Sequence, residues 1–247
     1  MEKLGVCDSG IGGLVVVDAL RQAYPSLDIV YIGDQQNAPY GNKTVDELLE
    51  YGRRMLSYFE KTGIHHVLIA CNTLCTNVFV SLQELFPNLK LYSIIAPTVN
   101  QLKRINSNRL LVIATSRTVE SHAYRNYCRK IGYEGEIEEV ACPKLVPLIE
   151  GNAELQLINE QVERDLLGKR ADTILLGCTH FPLLRPYLSR RFQVIDSNQA
   201  SVELVAKIEG LSYHGELTIY TSKDAGMMEK QIECLLHRHW KCEKMTF

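Results

Sequence analysis

No apolar run in this 247-residue sequence approaches the ~20 residues that a membrane-spanning helix needs. The apolar run at 4–7, just after Met1-Glu2-Lys3, is also far too short for the hydrophobic region of a secretory leader. A basic excess is missing too. The 27 Lys and Arg stand against 29 Asp and Glu, a formal net charge of -2, whereas nucleic-acid binders concentrate cations on one face. No low-complexity linker divides the chain. The Gly-x-Gly-x-x-Gly fingerprint of dinucleotide binding is absent: Gly10-Ile-Gly-Gly13 has a different spacing, and Asp8 beside it would repel a phosphate. These absences lead to the expectation of a soluble, cytoplasmic protein with no membrane or nucleic-acid partner. In that reducing compartment its eight cysteines are expected as thiols rather than disulfides.

What is present is a regular alternation. Hydrophobic residues make up 46% of the chain, enough for one large α/β domain or two small ones. Apolar runs predict strands near 4–7, 29–32, 66–70, 91–95, 110–114, 137–140, 173–176 and 193–195, and a polar strand is expected near 217–221. Amphipathic stretches between them predict helices near 14–23, 45–61, 77–86, 98–104, 119–131, 154–167, 182–190, 199–208 and 225–239. Thr44 followed by Glu47 reads as a capping box. Strands separated by helices imply parallel sheets covered on both faces.

The chain also echoes itself. Leu4-Gly-Val-Cys-Asp8-Ser9 resembles Leu111-Val-Ile-Ala-Thr115-Ser116, and Leu68-Ile-Ala-Cys71-Asn-Thr73 resembles Leu175-Leu-Gly-Cys178-Thr-His180. Asp8 to Thr115 and Cys71 to Cys178 are both separated by 107 positions. Two coincidences in one register predict two similar parallel-sheet α/β halves related by a pseudo-two-fold, each with a cysteine at the carboxyl end of a strand. Ligands of open α/β sheets bind outside those ends. Facing halves would therefore bring Cys71 and Cys178 to one cleft from opposite sides. Two thiols so placed can take a proton from one face of a carbon and return one to the other, which is what a racemase needs.

The ordered strings Gly5-Val-Cys-Asp-Ser-Gly-Ile-Gly-Gly-Leu14, Pro39-Tyr-Gly41, Ala70-Cys-Asn-Thr73, Ala114-Thr115 with Thr118-Val119, Ala141-Cys-Pro143, Leu176-Gly-Cys-Thr-His-Phe-Pro182 and Asp196-Ser197 carry a family resemblance. Over nearly its whole length the chain resembles the bacterial glutamate racemases of the aspartate/glutamate racemase superfamily. The resemblance implies interconversion of L- and D-glutamate without a cofactor, supply of D-glutamate for peptidoglycan, and a homodimer. It implies that Cys71 takes the proton from the D-enantiomer and Cys178 from the L-enantiomer, with Asp8 supporting the first thiol and His180 the second. It further implies that Ser9, Pro39, Tyr40, Gly41, Asn72, Thr73, Thr118 and Thr179 hold the substrate, and that Glu150 lies near the site. Relatives that depend on a cell-wall-precursor activator tend to carry an N-terminal extension, so the resemblance points to the unregulated type. The expected division places 1–96 plus 210–247 in the first half and 97–209 in the second.

Two loops depart from the family pattern: Gln35-Gln36-Asn37 before Pro39, and Leu74-Cys75-Thr76 after Thr73. Both border the expected substrate, so they bear on its identity more than on the reaction type. Alternatives are an aspartate racemase, another two-cysteine isomerase, or an amino-acid-binding protein that needs no thiols. In the tail, Cys234, His237, His239 and Cys242 are metal ligands by type, but on a continuous helix His239 points away from Cys234 and His237, so a solvated helix end is expected and no metal. Cys75 is expected to pack rather than react.

Overall fold

The computed structural model describes residues 1–246. Among the described residues there are ten strands: β1 (Leu4–Asp8), β2 (Ile29–Gly33), β3 (His66–Ile69), β4 (Lys90–Ser93), β5 (Arg109–Ala114), β6 (Glu136–Ala141), β7 (Thr173–Gly177), β8 (Gln193–Ile195), β9 (Leu217–Thr221) and β10 (Glu243–Lys244). They form two all-parallel sheets, one ordered β10-β9-β2-β1-β3-β4 and the other β6-β5-β7-β8. The run β2-β1-β3-β4 has the same connectivity as β6-β5-β7-β8. The internal echo thus reflects two copies of one winding, with β1 matched to β5 and β3 to β7. β1, β2, β3 and β7 are buried at every position, as strands covered on both faces must be.

The core shows how the halves are joined. Along β5, Leu110 and Val112 point into an apolar cluster shared with the first sheet, while Leu111 and Ile113 point into a second cluster. This is the two-residue period of a strand, and it commits one face of the second sheet to a core common to both halves.

Several helices differ from the sequence expectation, and the differences concentrate at the strand ends. The helix expected at 77–86 is two, Asn72–Asn77 and Phe79–Leu85, and the first starts directly after Cys71. The one expected at 119–131 is Ser116–Glu120 and Ala123–Lys130, broken at His122, whose φ is 50°. Pro182 and Pro186 shorten the 182–190 helix to a 3-10 turn at Phe181–Leu184 and a single turn at Arg185–Leu188. The 98–104 helix begins earlier, at Ile95–Asn100, and ends in a 3-10 turn at Gln101–Arg104. Helix Leu145–Glu150 was not expected, because Pro147 interrupts its pattern; proline is tolerated in a first turn, where its missing N–H leaves no bond unmade. The Thr44–Glu47 capping box is present at the start of Val45–Lys61. The last helix, Ala225–Leu236, stops at His237, which takes a left-handed φ of 54°. Among the described residues, no helix is long and apolar enough to cross a membrane, and no cluster of three His, Cys, Asp or Glu side chains is placed to hold a metal.

After Ile208 the chain returns to the first sheet. Leu211 bridges Glu2, and β9 pairs with β2 from Ile29↔Leu217 to Gly33↔Thr221. Asp28 anchors this return. Its buried carboxylate accepts from the backbone amides of His214 and Glu216, both at 2.9 Å, and lies 2.7 Å from His214 Nδ1. Burial alone would push the carboxyl up, but these donors and Ser212 hold it well below the usual carboxylate range. A carboxyl so depressed contributes its stability above its unfolded value and loses it as pH falls through the folded one. Asp28→Asn should therefore cost ~2 kcal/mol in chemical denaturation at neutral pH, and the difference from the parent protein should narrow in acid. A difference that stays constant with pH would remove the carboxylate from this role.

Candidate active site

The carboxyl ends of both sheets open onto one cavity of about 400 Å³. Asp8 and Ser9 reach it from the end of β1, Pro39 to Asn42 from the loop after β2, and Cys71 to Thr73 from the end of β3. From the other half come Thr115 to Arg117 after β5, Cys142 and Pro143 after β6, and Cys178 to His180 after β7. Val146, Pro147 and Glu150 of helix Leu145–Glu150 complete the wall. The pairings Cys7↔Ile69 and Ala114↔Gly177 place Asp8 beside the turn that carries Cys71, and Thr115 beside Cys178. In each half the cavity thus meets the sheet where the strand order reverses, the position at which such sheets bind ligands.

The two thiols sit in different electrostatic surroundings. Cys71 is 4% exposed and Cys178 5%. Burial pushes the Cys71 thiol well above its ordinary range, and the negative charge of Asp8 adds to the effect. Cys71 is therefore a thiol at rest. Asp8 is itself fully buried, and burial raises its carboxyl, opposed by His180 and by donors from Thr179 and Ser9. It accepts from Thr179 Oγ1 at 2.8 Å and Ser9 Oγ at 3.0 Å. The first of these bonds crosses the cleft. On the other side, Cys178 Sγ lies 3.6 Å from His180 Nδ1, and His180 Nε2 lies 2.8 Å from Glu150 Oε1. Burial would lower the imidazole, but its bonds to Cys178 and Glu150 outweigh that and raise it well above its ordinary value. An imidazolium held between a carboxylate and a sulfur is a fixed cation beside Cys178.

Close approach depends on small residues. A Cβ on Gly12 would stand 2.4 Å from Thr179 Oγ1 and 2.5 Å from His180 Nδ1. A Cβ on Gly41 would stand 2.8 Å from the Cβ of Thr115, so the Tyr40–Asn42 turn lies directly on the opposite half. There Thr73 Oγ1 is 3.1 Å from Thr115 Oγ1 and 3.4 Å from Thr118 Oγ1. Asn72 Oδ1 accepts from Tyr124, whereas its buried Nδ2 has no acceptor among the described residues. An unpaired buried amide costs about 1–3 kcal/mol.

Of the residues singled out in the sequence, Asp8, Ser9, Pro39, Tyr40, Gly41, Cys71, Asn72, Thr73, Glu150, Cys178, Thr179 and His180 all line this cavity. Thr118 stands behind it and reaches it only through its hydroxyl contacts with Thr73 and Thr115. Thr115 was visible as the partner of Asp8 in the internal echo but was given no role. Arg117, Glu120, Asn42, Val146 and Pro147 were missed, and Cys142 and Pro143 were noted only as family strings. Cys75 packs as expected, with its thiol directed at the Ile69 carbonyl at 3.1 Å.

Residues 16–205 match the family model described as Asp/Glu/Hydantoin racemase. The chain belongs to this racemase family. It is 33% identical to the glutamate racemase of Aquifex aeolicus, across 95% of this chain and 94% of that one. The fold superposes on glutamate racemase isoform RacE1 of Bacillus anthracis with a TM-score of 0.91 at 25% identity, covering 100% of this chain and 98% of that one. It also matches the Francisella tularensis glutamate racemase solved in complex with D-glutamate, with a TM-score of 0.87, 25% identity and 100% and 97% coverage. The two-half, parallel-sheet architecture is that of these racemases.

Two measurements probe the racemase cavity itself. Gly12→Ala should retain the fold and lower catalytic turnover by ~10-fold or more, because His180 and Thr179 must move to admit the methyl group, and misplacing such groups by about an ångström is that costly. Undiminished turnover would show that their placement is not constrained. Because the folded-state value of His180 is raised, its bond to Glu150 stabilises the protein fully below the unfolded imidazole value of ~6.5, and the contribution is lost as pH rises through the folded value. The stability gap between the parent protein and His180→Asn should accordingly narrow in base. A gap that widens there would contradict the assignment.

Proposed function

We propose that this protein interconverts L- and D-glutamate by a two-base mechanism that uses its own side chains and no cofactor. The observation that carries the reading is the pair of buried cysteines at the ends of matched strands, β3 and β7, both lining one cavity. In the L-to-D direction, Cys178 takes the α-proton, with the His180 imidazolium and Glu150 beside it. The C–H bonding pair remains on the α-carbon as the carbanion forms. Cys71, a thiol at rest, delivers its proton to the opposite face. The D-to-L direction runs in reverse, with Cys71 as base and Asp8 supporting it. After an L-to-D turnover Cys178 holds the proton that Cys71 has lost, so exchange with solvent must restore the starting form.

The α-proton of an amino acid is very weakly acidic, and its removal needs oriented donors around the substrate carboxylate in a site that excludes water. Asn72 lines the cavity and carries a buried, unpartnered amide nitrogen that a small shift of its side chain would offer as such a donor. Ser9, Thr73, Thr115 and Thr179 supply hydroxyls, and the Pro39-Tyr40-Gly41 turn closes the site from the first half. Thr118 supports the hydroxyl cluster from behind. We assign 1–96 with 210–247 to one domain and 97–209 to the other. A cytoplasmic homodimer that supplies D-glutamate for peptidoglycan is the physiological form that accords with this chemistry.

The test is circular dichroism of purified protein with L-glutamate and, separately, L-aspartate, without added cofactor. Loss of signal with glutamate is expected, and Cys71→Ser and Cys178→Ser should each reduce the rate by at least ~100-fold. Reaction in D2O should deposit deuterium on the product α-carbon. Turnover of aspartate alone would keep the chemistry and reject the substrate. Folded protein inert toward both would reject the reading.

A further inference from the structure

The cavity wall carries a charge problem for an anionic substrate. Among the described residues, three carboxyl groups line it, those of Asp8, Glu120 and Glu150, against the His180 imidazolium that already pairs with Glu150, a single arginine, Arg117, and no lysine. Arg117 lies on the short helix Ser116–Glu120 of the second half. Its Nε donates to the Lys43 carbonyl at 2.9 Å, just past the Tyr40–Asn42 turn of the first half. Its Nη1 stands 3.0 Å from Glu120 Oε2. Its Nη2 makes no hydrogen bond to the described residues. The Arg117 side chain is 30% exposed and that of Glu120 60%, whereas both cysteines are almost fully buried. The guanidinium therefore stands at the mouth, on the way from solvent to the thiols.

We propose that Arg117 is the residue that recruits the substrate: it takes a carboxylate of the incoming amino acid at the mouth of the cavity and sets the preference for a dicarboxylate. The proposal rests on the glutamate reading above. An arginine remains charged at any ordinary pH and offers a planar fork of N–H donors that matches two carboxylate oxygens. The bond to Lys43 fixes that fork across the cleft, so it does not need to be ordered on binding. Glu120 pairs with Nη1 until a substrate carboxylate competes for it at an exposed site, where an ion pair is easily exchanged. A cation so placed also offsets the negative potential of the cavity carboxyls and accelerates the approach of anions, an effect that salt screens.

Steady-state kinetics with L- and D-glutamate at low and high ionic strength test the proposal in the parent protein, Arg117→Gln and Glu120→Gln. Glutamine keeps a donor for the Lys43 carbonyl and removes the charge. Arg117→Gln should raise KM by ~10-fold, change kcat by less than about twofold, and flatten the salt dependence of kcat/KM. Glu120→Gln should lower KM, because it removes the internal competitor. If the parent protein turns over glutamate while Arg117→Gln leaves KM and the salt dependence unchanged, the proposal fails and the glutamate reading stands. A fall in kcat at constant KM would make Arg117 a structural tie and also overturn it. A parent protein inert toward glutamate overturns both.

Discussion

The hydrogen bond from Thr179 to Asp8 spans the space between two sheets and is made only when their carboxyl ends face each other. Thr179 follows β7 and Asp8 ends β1, so the bond fixes the second sheet against the first at the depth of the cysteines. The Thr73, Thr115 and Thr118 hydroxyls repeat the tie at one side, and Gly41 against Thr115 seals it without a side chain between. Everything chemical about the cavity depends on that facing arrangement. A parallel sheet places all its strand-to-helix turns on a single edge, and two such edges brought together concentrate the loops that follow the strands in one place.

The resulting site is symmetric in backbone and asymmetric in charge. Cys71 and Cys178 occupy equivalent strand ends, yet one stands by a buried carboxyl and the other by a histidine held by Glu150. The departure from exact repetition is small in sequence, Asp8 against Thr115 and Asn72-Thr73 against Thr179-His180. It is what sets a carboxyl beside one sulfur and an imidazole beside the other.

Much of this was legible in the sequence because it depends on period and order. The strands at 29–32, 173–176 and 193–195 stand out as apolar runs, and the 107-residue echo pairs β1 with β5 and β3 with β7. The cysteines and their polar neighbours follow from the echo. What could not be read depends on how chain ends turn at the cavity. Helix Asn72–Asn77 begins without a conventional cap because Cys71 occupies that position. Helix Leu145–Glu150 is hidden by Pro147. Arg117 and Glu120 form an ordinary polar pair three positions apart, and only the three-dimensional approach of the Tyr40–Asn42 turn gives them a place at the mouth.

The pairing of β2 with β9 also governs the order in which the molecule can be assembled. Asp28 and Glu216, which register that pairing, lie 188 positions apart. The second sheet, by contrast, is built entirely from β5 to β8, within one uninterrupted stretch. During synthesis the first sheet must wait, with one side of β2 unpaired, until the whole second half has left the ribosome. An exposed parallel edge at that stage is a site for pairing with the wrong strand. The half that is finished last is therefore the half that begins at the N-terminus, and the growing chain is most open to misassembly just before its final segment arrives.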